Sequence, residues 1–145
     1  MRSENNDVVS GDLRVCSHVA KYSASLRVLI VDDEPLIRWS LAQMLADAGH
    51  VTIEAADGAA AVRAVSQPVD VILLDYRLPD SSDLTLLSTL RRLAPDSAIV
   101  IMTAHGTPDI ITEALRLGAH RVVAKPFELH DLVALVRRAH SCRPI

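Results

Sequence analysis

Five side chains pose the chemical question in this sequence: Asp32, Asp33, Asp75, Thr103 and Lys125. Each follows an apolar run. "RVLIV" leads into Asp32-Asp33-Glu34, "VDVILL" into Asp75, "AIVIM" into Thr103, and "RVVA" into Lys125-Pro126. Three carboxylates drawn together repel and raise one another's pKa unless a cation joins them. Hard oxygen ligands with several retained waters are what Mg2+ prefers. A lysine brings a compact, flexible positive charge suited to a phosphoryl oxygen, and a threonine hydroxyl can donate to another. Acid pair, lone aspartate, hydroxyl and ammonium together describe phosphoryl transfer rather than acyl transfer, with Asp75 as the nucleophile.

Groups so distant in sequence meet only if the ends of the apolar runs gather at one rim. Five such runs alternate with helical patterns. After "RVLIV", Pro35 suits a first helical position, Ile37, Leu41, Met44 and Leu45 recur at helical spacing, and Gly49 stops the helix. "VTIEA" is a second strand, followed by an alanine-rich helix from about Gly58 to Ser66 with Val62 and Val65 inward. The third strand is "VDVILL"; Leu84, Leu87 and Leu90 mark a third helix, over by Pro95. Beyond "AIVIM", Pro108 opens a helix whose inward stripe is Ile111, Ala114 and Leu115, while Ile110 and Leu117 fall off it. "RVVA" is a short fifth strand, and Glu128 to about His140 forms a last helix with Leu129, Leu132, Val133 and Val136 on one face. Strict alternation predicts an α/β fold, a parallel sheet with helices on both faces. Ligands of such sheets bind outside the carboxyl ends of the strands, where all five residues fall.

The totals narrow the function classes. The chain has 145 residues, enough for one domain with a genuine core, and half of them are hydrophobic. Its net charge of -3 offers no basic field for a phosphate backbone, so direct nucleic-acid binding by this chain is not expected. No apolar run approaches the roughly 20 residues of a membrane span, and "MRSENNDVVSGDLRV" lacks a signal peptide's apolar middle. A cytoplasmic domain over residues 26–141 is expected, with a mobile tail at 1–25 and a C-terminal end at 142–145. "CSH" at 16–18 and "HSC" at 140–142 lack familiar zinc-finger spacing, so a zinc site or a Cys16–Cys142 bridge is the lesser reading. His50 and His130 read as surface residues.

The motifs "LIVDDEP", "VILLDYRLPD", "VIMTAHG" and "VAKPFE", in that order, resemble those of response-regulator receiver domains. The finer wording, "LIRWSL", "MTAHG" and "KPFEL", is similar to receivers of the nitrogen-regulator class. The resemblance implies a flavodoxin-like, doubly wound five-stranded parallel sheet with five helices and strand order 2-1-3-4-5. It implies that Asp75 takes a phosphoryl group from the phosphohistidine of a sensor histidine kinase. Asp33, Asp75 and the backbone carbonyl of Arg77 would hold Mg2+, with Asp32 acting through metal-bound water. Lys125 would pair with Asp75 and then with a phosphoryl oxygen, and Thr103 would carry the switch. Arg77 and His105 would tune the acyl-phosphate lifetime, and Lys125-Pro126 would be a cis peptide. Such a protein is an autocatalytic phosphoacceptor with self-dephosphorylation rather than a conventional turnover enzyme. A homodimer through the fourth helix, fifth strand and fifth helix is a further implied partner.

Two departures from the family pattern stand out. Val122 occupies the switch position three residues before the lysine, where Tyr or Phe is usual, so His120 or backbone shifts would have to substitute. Asp83 stands where the family prefers Gly, and would cap the third helix. Other readings stay open. Asp32-Asp33-Glu34 alone could be a helix cap, and Lys125 alone a solvated charge. A pseudo-receiver that works without phosphate is the first rival. An aspartate-nucleophile phosphatase is the second, although Arg77 stands where its second acid would belong.

Overall fold

The computed structural model describes residues 25–81 and 83–141. The tail expected at 1–25 lies, apart from Ser25, outside these residues, as do the end at 142–145 and the Cys16–Cys142 pairing. Five strands, β1 (Arg27–Val31), β2 (Val51–Ala55), β3 (Val71–Asp75), β4 (Ala98–Thr103) and β5 (Arg121–Ala124), form one parallel sheet in the order β2-β1-β3-β4-β5. Five helices alternate with them: α1 (Pro35–Asp47), α2 (Gly58–Ala64), α3 (Thr85–Leu93), α4 (Pro108–Arg116) and α5 (Leu129–Ser141). This is the expected flavodoxin-like architecture.

Successive side chains of a strand point to opposite faces, and the central strands use both faces for aliphatic burial. Val28, Ile30, Val71, Leu73, Val100 and Met102 pack with α1 and α5 around Leu41, Leu45, Leu132 and Val136. Leu29, Val31, Ile72, Leu74, Ile99 and Ile101 pack on the other face around Ala61, Leu87, Leu90 and Ala114 from α2, α3 and α4. Each fully buried aliphatic side chain contributes about 1.5–3 kcal/mol relative to exposure, so the central sheet is the rigid part of the molecule.

Helix starts follow local chemistry. Asp57 accepts the Ala60 N–H at 2.8 Å and Thr107 accepts the Ile110 N–H at 3.3 Å, satisfying otherwise orphaned donors. Pro35 and Pro108 occupy early helical positions where a missing N–H costs nothing. Asp83 accepts the Thr85 N–H at 2.9 Å, but Leu84 holds the cap position, so Asp83 closes a turn into α3 from one residue further out.

Two expectations require correction. Leu115 is 47% exposed, whereas Leu117 packs into the core beside Ala114 and Ala119. Ala114 sets the inward direction of α4, Leu115 is turned about 100° from it inside the helix, and Leu117, three residues on and just past the helix end at Arg116, comes back to the Ala114 side. His50 is only 6% exposed rather than a surface residue. Its Nδ1 accepts the Leu26 N–H at 3.1 Å, which ties the start of β1 to the turn after α1. His130 is exposed, as expected.

Candidate functional site

Strand register builds the site. Val31 lies beside Leu74, Asp75 beside Met102, and Thr103 beside Ala124. The next residue of β1 and of β5 is therefore Asp32 and Lys125, and both arrive at the carboxyl rim with Asp75 between them. Asp32 N–H donates to Ala55 O at 3.1 Å, and Lys125 N–H donates to Thr103 O at 2.8 Å, extending the ladder into the site.

Asp32 is fully buried and Asp75 is 7% exposed. Lys125 Nζ lies 3.1 Å from Asp32 Oδ2 and 3.3 Å from Asp75 Oδ2. The lysine therefore serves two carboxylates, not Asp75 alone. Asp32 Oδ1 accepts the Glu34 N–H at 2.9 Å, so both of its oxygens are engaged. Asp75 Oδ1 accepts the Arg77 N–H at 3.3 Å. Asp33 is exposed at the mouth, and ligand oxygens of Asp32, Asp33 and Asp75 all lie within 4.8 Å of one another.

One ammonium for three acids leaves negative charge in excess. Burial, then the Asp32 charge, push the Asp75 carboxyl above its ordinary pKa, against the downward pull of Lys125 and the Arg77 N–H. Burial pulls Lys125 down, but the Asp32 hydrogen bond and the charges of Asp75 and Asp32 outweigh it and hold the ammonium above its usual value. An aspartate beside a lysine would ordinarily be stabilised as the anion. Here the lysine lies nearer Asp32 than Asp75, and for Asp75 burial and the Asp32 charge outweigh its help. A divalent cation would relieve it, and an all-oxygen donor set suits a hard ion such as Mg2+.

Thr103 is buried, and its Oγ1 accepts the His105 N–H at 3.1 Å. Its hydroxyl thus organises the loop after β4 and makes no bond to Asp75 or Lys125. Arg77 and His105 are exposed on loops flanking Asp75 and Thr103. Val122 lies apart from this group, beside Ile101 and half-buried in the core over α2–α4. The Lys125–Pro126 peptide bond is cis.

Two residues escaped the sequence reading. Asp80 accepts the Gly58 N–H at 2.8 Å and the Ala59 N–H at 3.1 Å, clamping the loop after β3 onto the start of α2. A Cβ at position 58 would lie 3.1 Å from that carboxylate, so glycine permits the approach. Arg38 donates from Nη1 to the Asp32 carbonyl at 2.7 Å. Asp80 acts across 22 residues, so no local pattern betrays it. Arg38, in "LIRWSL", stands out only as an arginine one turn into a helix that follows the acids.

A family model for the response regulator receiver domain matches residues 28–137. Over 115 residues the chain is 39% identical to the DNA-binding transcriptional regulator NtrC of Escherichia coli K12, a match covering 79% of this chain and 24% of that protein. It thus spans about a quarter of the length of that relative. It is 33% identical over 113 residues to the sporulation initiation phosphotransferase F of Bacillus subtilis, covering 77% of this chain and 91% of that one. The crystal structure of a CheY-like response regulator receiver domain protein from Methanospirillum hungatei superposes with a TM-score of 0.75 at 26% identity, over 79% of this chain and 92% of that one.

Proposed function

This chain belongs to the response regulator receiver domain family, and from that premise we propose that Asp75 accepts a phosphoryl group from a histidine kinase's phosphohistidine. The Asp75 carboxylate attacks phosphorus, an O–P bond forms, and the P–N bond breaks as the imidazole leaves. Lys125, already 3.3 Å from Asp75, is placed to follow the phosphoryl oxygens as charge moves onto the aspartate. Asp33, Asp75 and the Arg77 carbonyl would hold Mg2+, with Asp32 reaching it through water. When bound, that ion supplies charge neutralisation and in-line orientation. The rest of the catalysis is positioning by rigid strand ends.

The new group adds nearly two negative charges and three acceptors. Thr103, whose hydroxyl now holds the His105 N–H, would turn toward it and rearrange the loop after β4. Arg77 and His105, exposed beside the attack path of water, would set the acyl-phosphate lifetime. The surface of α4, β5 and α5 would change its affinity for a partner, a second copy of the chain included. The name of NtrC supports an output in transcriptional control. No helix among the described residues is long and apolar enough to cross a membrane, in keeping with a cytoplasmic place beside the kinase.

The observation that carries this reading is one ammonium shared by two buried aspartates beneath an exposed third. Incubation with a small acyl phosphate and Mg2+ tests it by mass spectrometry. The wild type should gain one phosphoryl group and Asp75→Ala none. Val122, too small to swing as an aromatic switch would, favours a second reading, a pseudo-receiver that signals unphosphorylated. An unchanged wild-type mass under every donor would select that one.

A further inference from the structure

Asp33 and Asp75 are aimed by different means. Asp75 is walled in at the end of β3, with Lys125 and the Arg77 N–H on its two oxygens. Asp33 is exposed, and no hydrogen bond or ion pair with another described residue holds its carboxylate. Its direction is set by the backbone, above all by the peptide plane joining Asp32 to Asp33. That plane is rigid, so a rotation of it would also reorient the Asp33 Cα–Cβ bond relative to the Asp75 carboxylate.

The carbonyl of this plane is the acceptor for Arg38 Nη1 at 2.7 Å. Arg38 Nε simultaneously pairs with Glu54 Oε1 at 3.0 Å, near the carboxyl end of β2. One guanidinium thus ties the acidic turn to the neighbouring strand, using a planar fork that lysine cannot reproduce. The Arg38 side chain is 19% exposed, so its charge-assisted bond is shielded from much of the solvent that weakens surface pairs. The preceding peptide plane, between Val31 and Asp32, is held in turn by β2, its Asp32 N–H donating to Ala55 O.

Resting on the proposed function of the rim, we infer that Arg38 is a positioning residue for the metal site. By gripping the Asp32 carbonyl it holds Asp33 where its carboxylate converges with that of Asp75 on a divalent cation. Arg38 itself touches neither the cation nor the transferred group. The alternative is a purely structural ion pair with Glu54, which would stabilise α1 against β2 and leave cation affinity alone.

Mg2+ titrations followed by amide chemical shifts separate the two, with urea unfolding of each variant in Mg2+-free buffer alongside. Arg38→Ala should weaken Mg2+ binding about tenfold or more, the usual cost of losing a residue that orients a ligand. Arg38→Lys should recover part of that loss. Glu54→Gln should leave the affinity nearly unchanged, because its amide oxygen still accepts from Arg38. Wild-type affinity in both arginine variants overturns the inference, as does an equal loss in Glu54→Gln or a loss that follows unfolding stability across the set. If Arg38→Ala does not fold, Arg38→Lys decides alone: weaker binding at unchanged stability supports positioning, and unchanged binding overturns it. A wild type that binds Mg2+ but takes up no phosphoryl group would sink the phosphoacceptor reading and leave the arginine comparison intact. A wild type that binds no Mg2+ overturns both.

Discussion

The two ends of the sheet carry similar polar residues and treat them oppositely. At the amino-terminal base, polar side chains close onto backbone. Arg91 donates to the carbonyls of Gly118, Ala94, Pro95 and Ser97. Ser97 Oγ donates to Val69 O at 2.5 Å, Asp70 accepts the Arg27 N–H at 2.8 Å, and His50 accepts from Leu26. Each pairs a charge or dipole with a fixed group of opposite sense, the arrangement that stabilises. Among the described residues, His50 Nε2 and Arg137 Nε are buried without a hydrogen-bond partner. At the carboxyl rim, charges face charges, and burial together with the Asp32 charge holds Asp75 above its ordinary pKa despite Lys125 and the Arg77 N–H. The base locks the chain, and the rim keeps an electrostatic mismatch that a divalent cation would relieve.

The contrast breaks most sharply if Lys125 proves dispensable. Lys125→Ala should slow phosphoryl uptake from a small acyl phosphate by roughly a hundredfold or more, as losing a preorganised charge donor does. Quench-flow with mass detection would read this, and a rate near wild type would move the chemistry elsewhere. Arg91→Ala should do the reverse. It strands carbonyls at the base and costs about 2–3 kcal/mol of stability in urea unfolding. The folded fraction should still take up phosphate at the wild-type rate.

The raised Asp75 pKa sharpens the rim half of the comparison. A carboxyl whose folded pKa exceeds its unfolded one weakens the fold wherever it is ionised, so its burden is present at neutral pH and absent in acid. Asp75→Asn should therefore raise the thermal midpoint at pH 7 without divalent ions. A lowered midpoint would show that Asp75 is held as firmly as the polar groups of the base.

His50 works in the opposite sense. Burial, then the Arg137 charge, lower its pKa from 6.5, and the same direction holds for His120 through burial and the charges of Arg121 and Arg138. Their stabilisation is complete above about pH 6.5, the unfolded value, and is lost as pH falls toward the lower folded values. Each loss is at most about 1.4 kcal/mol per pH unit. In His50→Gln the slope of unfolding free energy below pH 6.5 should become shallower; an unchanged slope would remove His50 from the base network. The smallest effect belongs to neither end. Arg116→Ala, which removes an exposed pair with Glu113 on α4, should leave the unfolding midpoint where it is.

Much of this was legible in the chain, because strands and caps announce themselves locally. Runs such as "VILLD" and "AIVIM" are buried along their whole length, and Pro35 and Pro108 mark the helix starts they were expected to mark. Asp32, Asp33, Asp75 and Lys125 were readable because each ends a run, and parallel strands deliver such residues to one rim. Leu115 and His50 were less legible. The spacing of Ile111, Ala114 and Leu115 suits a helix but does not say which side of Ala114 meets the sheet, and the partner of His50 is Leu26, 24 residues away at the start of β1.

Periodicity and strand-end chemistry were thus enough to specify a doubly wound sheet and the kind of residue at its rim, since both depend on near neighbours along the chain. How Lys125 divides itself between Asp32 and Asp75, how Asp80 clamps α2, and how Arg38 grips the Asp32 carbonyl came from the folded molecule. Those contacts depend on strand register and on the close approach of distant segments. Distance and direction in space, not order along the chain, govern hydrogen bonds and charge.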